Sequence, residues 1–130
     1  MLAEGVRLVA EALDAGLPVL EAAVSPRLAD NNLRERLQQV AESFLECSDE
    51  VLGRMSALET PQGVAVLLGK PVTKEEDLLQ GDLAPLVVVA AGVRDPGNLG
   101  SLLRSAEAAG ATGCITMKGG SDPFRDKAVR

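Results

Sequence analysis

The chain has no histidine, no tyrosine and no tryptophan, and only two phenylalanines. Without imidazole there is no Ser-His-Asp triad, no histidine acid/base catalyst and no zinc site of the Cys/His kind. Without aromatic rings, base stacking, the usual grip on single-stranded RNA, is not a main device. Cysteine is nearly absent too: Cys47 and Cys114 are too few for a four-thiolate site, lack Cys-x-x-Cys spacing and sit among apolar neighbours, so they read as reduced, buried thiols of a cytosolic protein. No apolar run approaches the ~20 residues of a membrane span, and the start lacks a basic region followed by an apolar one. The expectation is a cytoplasmic protein with no membrane contact. Net basicity is missing as well: Lys plus Arg is 13 against 19 Asp plus Glu, a formal charge of −6, which excludes a globally basic nucleic-acid module.

What is present is an aliphatic chain of 130 residues, 46% hydrophobic and 25% charged, enough for one domain or two small ones built on Leu, Val and Ala. Leu2, Val6, Val9 and Leu13 recur at helical spacing up to Gly16 and Pro18, predicting one amphipathic helix. Val19 to Val24 reads as a strand, Leu28 to Val40 as a helix and Phe44 to Cys47 as a short strand. Ser48-Asp49-Glu50 is a helix-start signal for Val51 to Leu58, with Val51, Leu52, Met55 and Leu58 lining one side. A turn at Thr60 to Gly63 leads to a β-rich run from Val64 to Leu68. Such alternation indicates an α/β unit.

From Lys70 to Asp82 the composition turns polar and punctuated, as in a linker. Leu86 to Ala91 is apolar on both faces and too short for a helix, so it reads as a central strand of a parallel sheet. A glycine loop from Gly92 to Gly100 then enters a helix marked by Leu99, Leu102, Leu103, Ala106 and Ala109 and closed by Gly110, before a strand from Cys114 to Met117. In parallel sheets ligands gather at the carboxyl edge of the strands, the place this loop occupies. Gly97 and Gly100 permit turns or close approaches, and Asn98 or Ser101 is positioned to cap open amides. Neither common phosphate-loop signature is present, and Gly97-Asn98-Leu99-Gly100, a KH-type Gly-x-x-Gly, follows a strand instead of joining two helices. Arg104 and Glu107, three apart, share a helix face, and the Arg104 side chain leans back toward Asn98. By spacing alone, an exposed Arg–Glu pair and a polar pocket formed by Asn98, Arg104 and the loop amides both stand.

Taken as a block, Arg94-Asp95-Pro96-Gly97-Asn98-Leu99-Gly100 with Arg104, Ala106, Glu107 and Gly110 resembles the first motif of the SpoU (TrmH-like) RNA ribose 2′-O-methyltransferases. Glu4 to Leu13 resembles the opening of that family's small substrate-binding domain, and Asp122-Pro123-Phe124 with Lys127-Ala128-Val129-Arg130 resembles the family's segment after the first motif. The resemblance implies an α/β fold in three parts. A ribosomal-protein-like α/β/α substrate-binding sandwich would span residues 1–70 and a linker 71–84, with the first part of a trefoil-knot methyltransferase domain at 85–130. It implies S-adenosylmethionine as methyl donor, rRNA or tRNA as substrate, and a homodimer. It places catalysis at Arg104, Asn98 and Glu107, and RNA contacts at Arg94, Gly97, Gly100, Ser101, Lys127 and Arg130. Arg104 suits stabilisation of a developing alkoxide or of the adjacent phosphate better than the role of base, since a guanidinium rarely gives up its proton.

Residues 92 to 130 carry six cations against four carboxylates, a balance of +2, which leaves −8 for residues 1 to 91. The motif therefore lies in the basic part. The family's two later cofactor motifs have no counterpart before Arg130, so the resemblance also implies part of a longer enzyme, inactive alone, with its cofactor site beyond Arg130. Two other functions fit the same residues: a non-catalytic RNA-binding module and a generic α/β nucleotide-binding domain.

Overall fold

A computed structural model describes residues 1–79 and 84–130. They form two compact units, Met1–Pro71 and Val72–Arg130.

The first unit runs β1 (Leu2–Glu4), α1 (Val6–Asp14), β2 (Val19–Val24), α2 (Asn31–Val40), β3 (Ser43–Glu46), α3 (Asp49–Met55) and β4 (Val64–Leu68). Its four strands lie in the order β1-β4-β2-β3, with β4 antiparallel to both neighbours and β2 parallel to β3. Period-2 alternation puts Ala22 and Val24 of β2 and Val64, Val66 and Leu68 of β4 into the core, where they meet Val9 and Ala12 of α1 and Leu33 and Leu37 of α2.

Side-chain caps fix where α2 and α3 begin. Asp30 accepts from the Leu33 amide at 2.9 Å, so α2 begins at Asn31, and Leu28 is buried ahead of the cap instead of inside the helix. Ser48 caps α3 through the Val51 amide. The expected helix from Leu2 is divided: Leu2 to Glu4 pair with Leu67 to Ala65, and Gly5 at φ +92° turns the chain into α1, whose Val6 amide donates to Gln62 Oε1 at 2.8 Å. Helix α3 stops at Met55, short of Leu58, and Ala57 N–H donates to the buried Glu4 carboxylate. Of the stripe expected on α3 only Leu52 is buried, while Val51 and Met55 are exposed.

The second unit holds a 3-10 turn (Glu75–Leu79), β5 (Val87–Ala90), α4 (Pro96–Ala108), β6 (Gly113–Thr116) and α5 (Asp126–Val129). Strands β5 and β6 are parallel, in register from Val87/Gly113 to Ala90/Thr116. Much of the expected linker is therefore structured. Leu78 occupies space that a Cβ on Gly113 would need, and the Thr112 hydroxyl donates to the Leu78 carbonyl at 2.7 Å. Residues 80–83 of that linker lie outside the described residues. The reading of β5 as buried on both faces is corrected: Val89 is 58% exposed, because the described sheet of this unit has only two strands. Cys47 and Cys114 are free thiols, half-buried instead of buried.

Two glycines separate backbone strain from lack of room. At Gly16 (φ +69°) a Cβ would have nothing within 4 Å, whereas at Gly63 (φ +81°) it would stand 2.3 Å from the Leu28 nitrogen. Gly16→Ala is expected to cost about 1 kcal/mol from the left-handed backbone alone. Gly63→Ala adds a backbone clash and is expected to cost more than about 3 kcal/mol. Urea unfolding of both variants checks this, and equal losses would contradict it.

Candidate functional site

The sequence that leaves β5 changes direction at Gly92 (φ +71°) and enters α4 at Asp95-Pro96. Pro96 sits in the first turn, where its missing N–H is harmless and its fixed φ suits a helix. The cap is Asp95, not Asn98 or Ser101: its Oδ1 accepts from the Asn98 amide at 2.8 Å. Asn98 N–H donation is also the main reason the Asp95 carboxyl is held below the usual carboxylate range; desolvation, next in size, opposes it, and the Lys127 ammonium and the Gly97 amide add smaller lowering effects.

Helix α5 packs across the first two turns of α4. The contact is closest at Gly100, buried, where a Cβ would stand 2.2 Å from the Ala128 carbonyl oxygen. Glycine at this position lets two backbones meet. As a result Lys127 Nζ reaches Asp95 Oδ2 at 3.6 Å, and the Arg104 guanidinium donates to the Ala128 carbonyl at 3.4 Å and to Ser101 Oγ at 3.5 Å. Arg104 thus turns toward Ser101 and α5, not toward Glu107. Gly97, Gly100, Ser101, Arg104 and Lys127 come together around the start of α4.

The other expected residues stand apart from this group. The Asn98 side chain is exposed and makes no hydrogen bond among the described residues, so no Asn98–Arg104 pocket is formed. Glu107 is exposed on the same helix. Arg130 is held by its own helix, pairing with Asp126 at 2.6 Å. Arg94 lines a separate polar pocket of about 360 Å³ with Gly119, Gly120, Ser121, Asp122 and Arg125. Sequence reasoning missed Asp95 as cap and charge partner, although Asp before Pro at a helix start is a readable signal. It also missed Arg125 and the Ala128 carbonyl, which only tertiary packing reveals.

Residues 1–66 match the family described as the MRM3-like substrate binding domain. The chain belongs to that family. Among relatives, it is 38% identical to rRNA methyltransferase 3, mitochondrial, of Mus musculus, covering 100% of this chain and 32% of that protein. It is 33% identical to the 23S rRNA (guanosine(2553)-2'-O)-methyltransferase RlmP of Bacillus subtilis, covering 99% of this chain and 48% of that one. Among solved structures, an AdoMet-bound rRNA methyltransferase from Sinorhizobium meliloti superposes with a TM-score of 0.80 at 30% identity, over 98% of this chain and 48% of that one. The MRM3-like chain therefore spans about a third to a half of the length of the proteins it matches. Its mixed α/β fold is that of SpoU methyltransferases over the matched part.

The Asp95 cap carries a pH signature. Because its carboxyl is lowered in the folded state, its contribution is complete above the unfolded value, about 3.9, and is lost as pH falls through the lower folded value. Asp95→Ala is expected to lower the melting temperature at pH 7, and the gap from wild type to narrow below about pH 4. Melting curves across that range check it; a gap constant with pH would contradict the charge-based cap.

Proposed function

We propose that the chain supplies the RNA side of a 2′-O-methyltransferase, one that transfers a methyl group from S-adenosylmethionine to a ribose 2′-hydroxyl of rRNA. The single observation that carries this reading is the group at the start of α4, with Arg104 presented beside Ser101 and Lys127 on the Gly100–Ala128 contact. It is supported by relatives whose names are those of rRNA methyltransferases.

When bound, the cofactor supplies an activated methyl group on a sulfonium cation. The described residues do not fit that group: the pocket beside the glycine loop is lined by Arg94 and Arg125, which repel a cation, and the cleft of about 390 Å³ against the 3-10 turn contains none of the motif residues. This chain's part is to position RNA and stabilise charge at the 2′-oxygen.

A 2′-hydroxyl is a weak nucleophile, and in-line attack needs it held and its developing negative charge met by fixed donors. Arg104 is a planar, charged fork whose present acceptors, a carbonyl and a hydroxyl at 3.4 and 3.5 Å, are long and neutral, so an oxyanion or phosphate displaces them readily. Asn98, exposed one and a half turns earlier, orients the ribose, and Lys127 with Ser101 borders the path of the strand. The roles of Glu107 and Arg130 on this reading are secondary: Glu107 faces solvent and Arg130 braces α5. The enzyme works as a homodimer on the same reading.

In the intact enzyme, Arg104→Ala is expected to reduce methyl transfer by ~10²–10³-fold, as loss of one charge-stabilising donor does, while RNA affinity changes far less. Transfer of labelled methyl groups to rRNA, alongside an RNA-binding titration, checks both. Wild-type turnover in Arg104→Ala would overturn the mechanism, and RNA binding without any transfer would favour a non-catalytic module. The 130-residue chain by itself is expected to give no saturable S-adenosylmethionine heat in calorimetry.

A further inference from the structure

The arginines of the two units differ in how their charge is engaged. In the first unit all five have a carboxylate partner: Arg7 with Glu11, Arg27 with Asp49, Arg34 with Glu46, Arg36 with Asp14 and Arg54 with Glu50. In the second unit Arg94 and Arg125 are exposed and make no ion pair or side-chain hydrogen bond among the described residues. These two arginines line the same pocket, of about 360 Å³.

That pocket is built at the carboxyl edge of β5 and β6, between the loops that leave the two strands. The Met117 amide donates to Ala90 O at 3.1 Å and the Ser121 amide to Val93 O at 2.8 Å, tying the second loop to the residue just before Arg94. Its floor is bare backbone. Gly119 holds φ +85°, and a Cβ on Gly120 would stand 3.2 Å from Met117 O and 3.3 Å from Val93 O. The one carboxylate in the lining, Asp122, has its Oδ1 occupied by the Phe124 amide at 2.9 Å. Two unpaired guanidiniums over a glycine floor make a site for a tetrahedral oxyanion, since each offers a planar pair of donors that matches phosphate oxygens.

The geometry points to Arg94 and Arg125 as a clamp for a backbone phosphate of the RNA strand, next to the strand path past Arg104. This rests on the RNA-directed reading of the chain and adds a site to it. A phosphodiester contact of this kind carries no base information; it sets the register of the strand while the α4 group addresses the ribose. It also resolves the difficulty of an acidic protein that binds RNA: the phosphate attraction is local, at arginines with no carboxylate partner among the described residues, and does not depend on net charge.

The test is a titration of the chain with labelled single-stranded oligoribonucleotides of two unrelated sequences, read by fluorescence anisotropy over a series of salt concentrations. Arg94→Ala and Arg125→Ala are each expected to weaken binding roughly tenfold and by the same factor for both sequences, with the salt slope falling by about one per arginine. Asp122→Asn, which keeps the acceptor for Phe124 and removes the pocket's negative charge, tightens binding. Arg7→Ala, an exposed and paired arginine of the first unit, leaves it unchanged. Neither pocket arginine has a side-chain bond among the described residues to lose, and melting curves verify that the variants fold.

A double variant that binds with wild-type affinity and salt slope would overturn the clamp and leave the RNA reading standing. Failure of the wild-type chain to bind RNA even at low salt would overturn that reading and the clamp with it. A parallel titration with inorganic phosphate, followed through the arginine Nε resonances, separates the two sources of the anion: saturation by free phosphate without RNA binding would also overturn the clamp.

Discussion

The group proposed to act at the ribose depends on one backbone contact, the approach of α5 to α4 at Gly100. A side chain there would collide with the Ala128 carbonyl, so the missing Cβ decides whether the two helices can touch. Once they touch, three things happen together. Lys127 is delivered to the Asp95 cap, the Ala128 carbonyl becomes an acceptor for Arg104, and the Arg104 guanidinium is turned toward the start of α4, away from Glu107. A four-residue helix such as α5 has little stability of its own. Its position is set by what it packs on, which makes Gly100 a condition for the geometry of residues up to thirty positions away in sequence.

Charge is organised on the same local scale. The formal −6 of the chain suggests repulsion from nucleic acid, yet the arginines of the acidic first unit are already neutralised by carboxylates of that unit. Exposed pairs of this sort contribute little stability, typically about 0–1 kcal/mol, but they remove those cations from competition for a polyanion. Among the described residues Arg94, Arg104 and Arg125 meet no carboxylate in this way, so the attraction for phosphate is concentrated where the glycine loop emerges.

The sequence made the second strand legible to the residue, because Val19 to Val24 is an apolar run bounded by Pro18 and by Ser25-Pro26; its burial alternation is broken between Val19 and Ala22, where the pairing with β4 shifts register. The α4 region was readable in part: the Leu/Ala stripe marked the helix, but the loop expected to run to Gly100 ends at Asp95, which caps a helix already begun at Pro96. Leu2 to Glu4 was misread as helix because its apolar residue falls in phase with Val6 and Val9; pairing with β4, a partner more than sixty residues away, outweighs that periodicity. Within the site, Gly97, Gly100, Ser101, Arg104 and Lys127 came together around the start of α4. The pairing of Asn98 with Arg104 did not, because helical proximity says nothing about a competing acceptor on another helix. Arg125 carried no local signal at all: its significance arises only when the loop after β6 folds beside Val93.

The 3-10 turn at Glu75 to Leu79 bears on how the chain is divided. Leu78 fills space left open at Gly113, and its carbonyl takes the Thr112 hydroxyl, so this stretch belongs to the second unit as a strap across the start of β6. A boundary chosen on composition, at the end of the polar stretch, would strip that strap and uncover the strand beneath it. Domain dissection, grafting or chimera building with this protein should cut at Pro71, keeping the acidic turn attached to the sheet it holds.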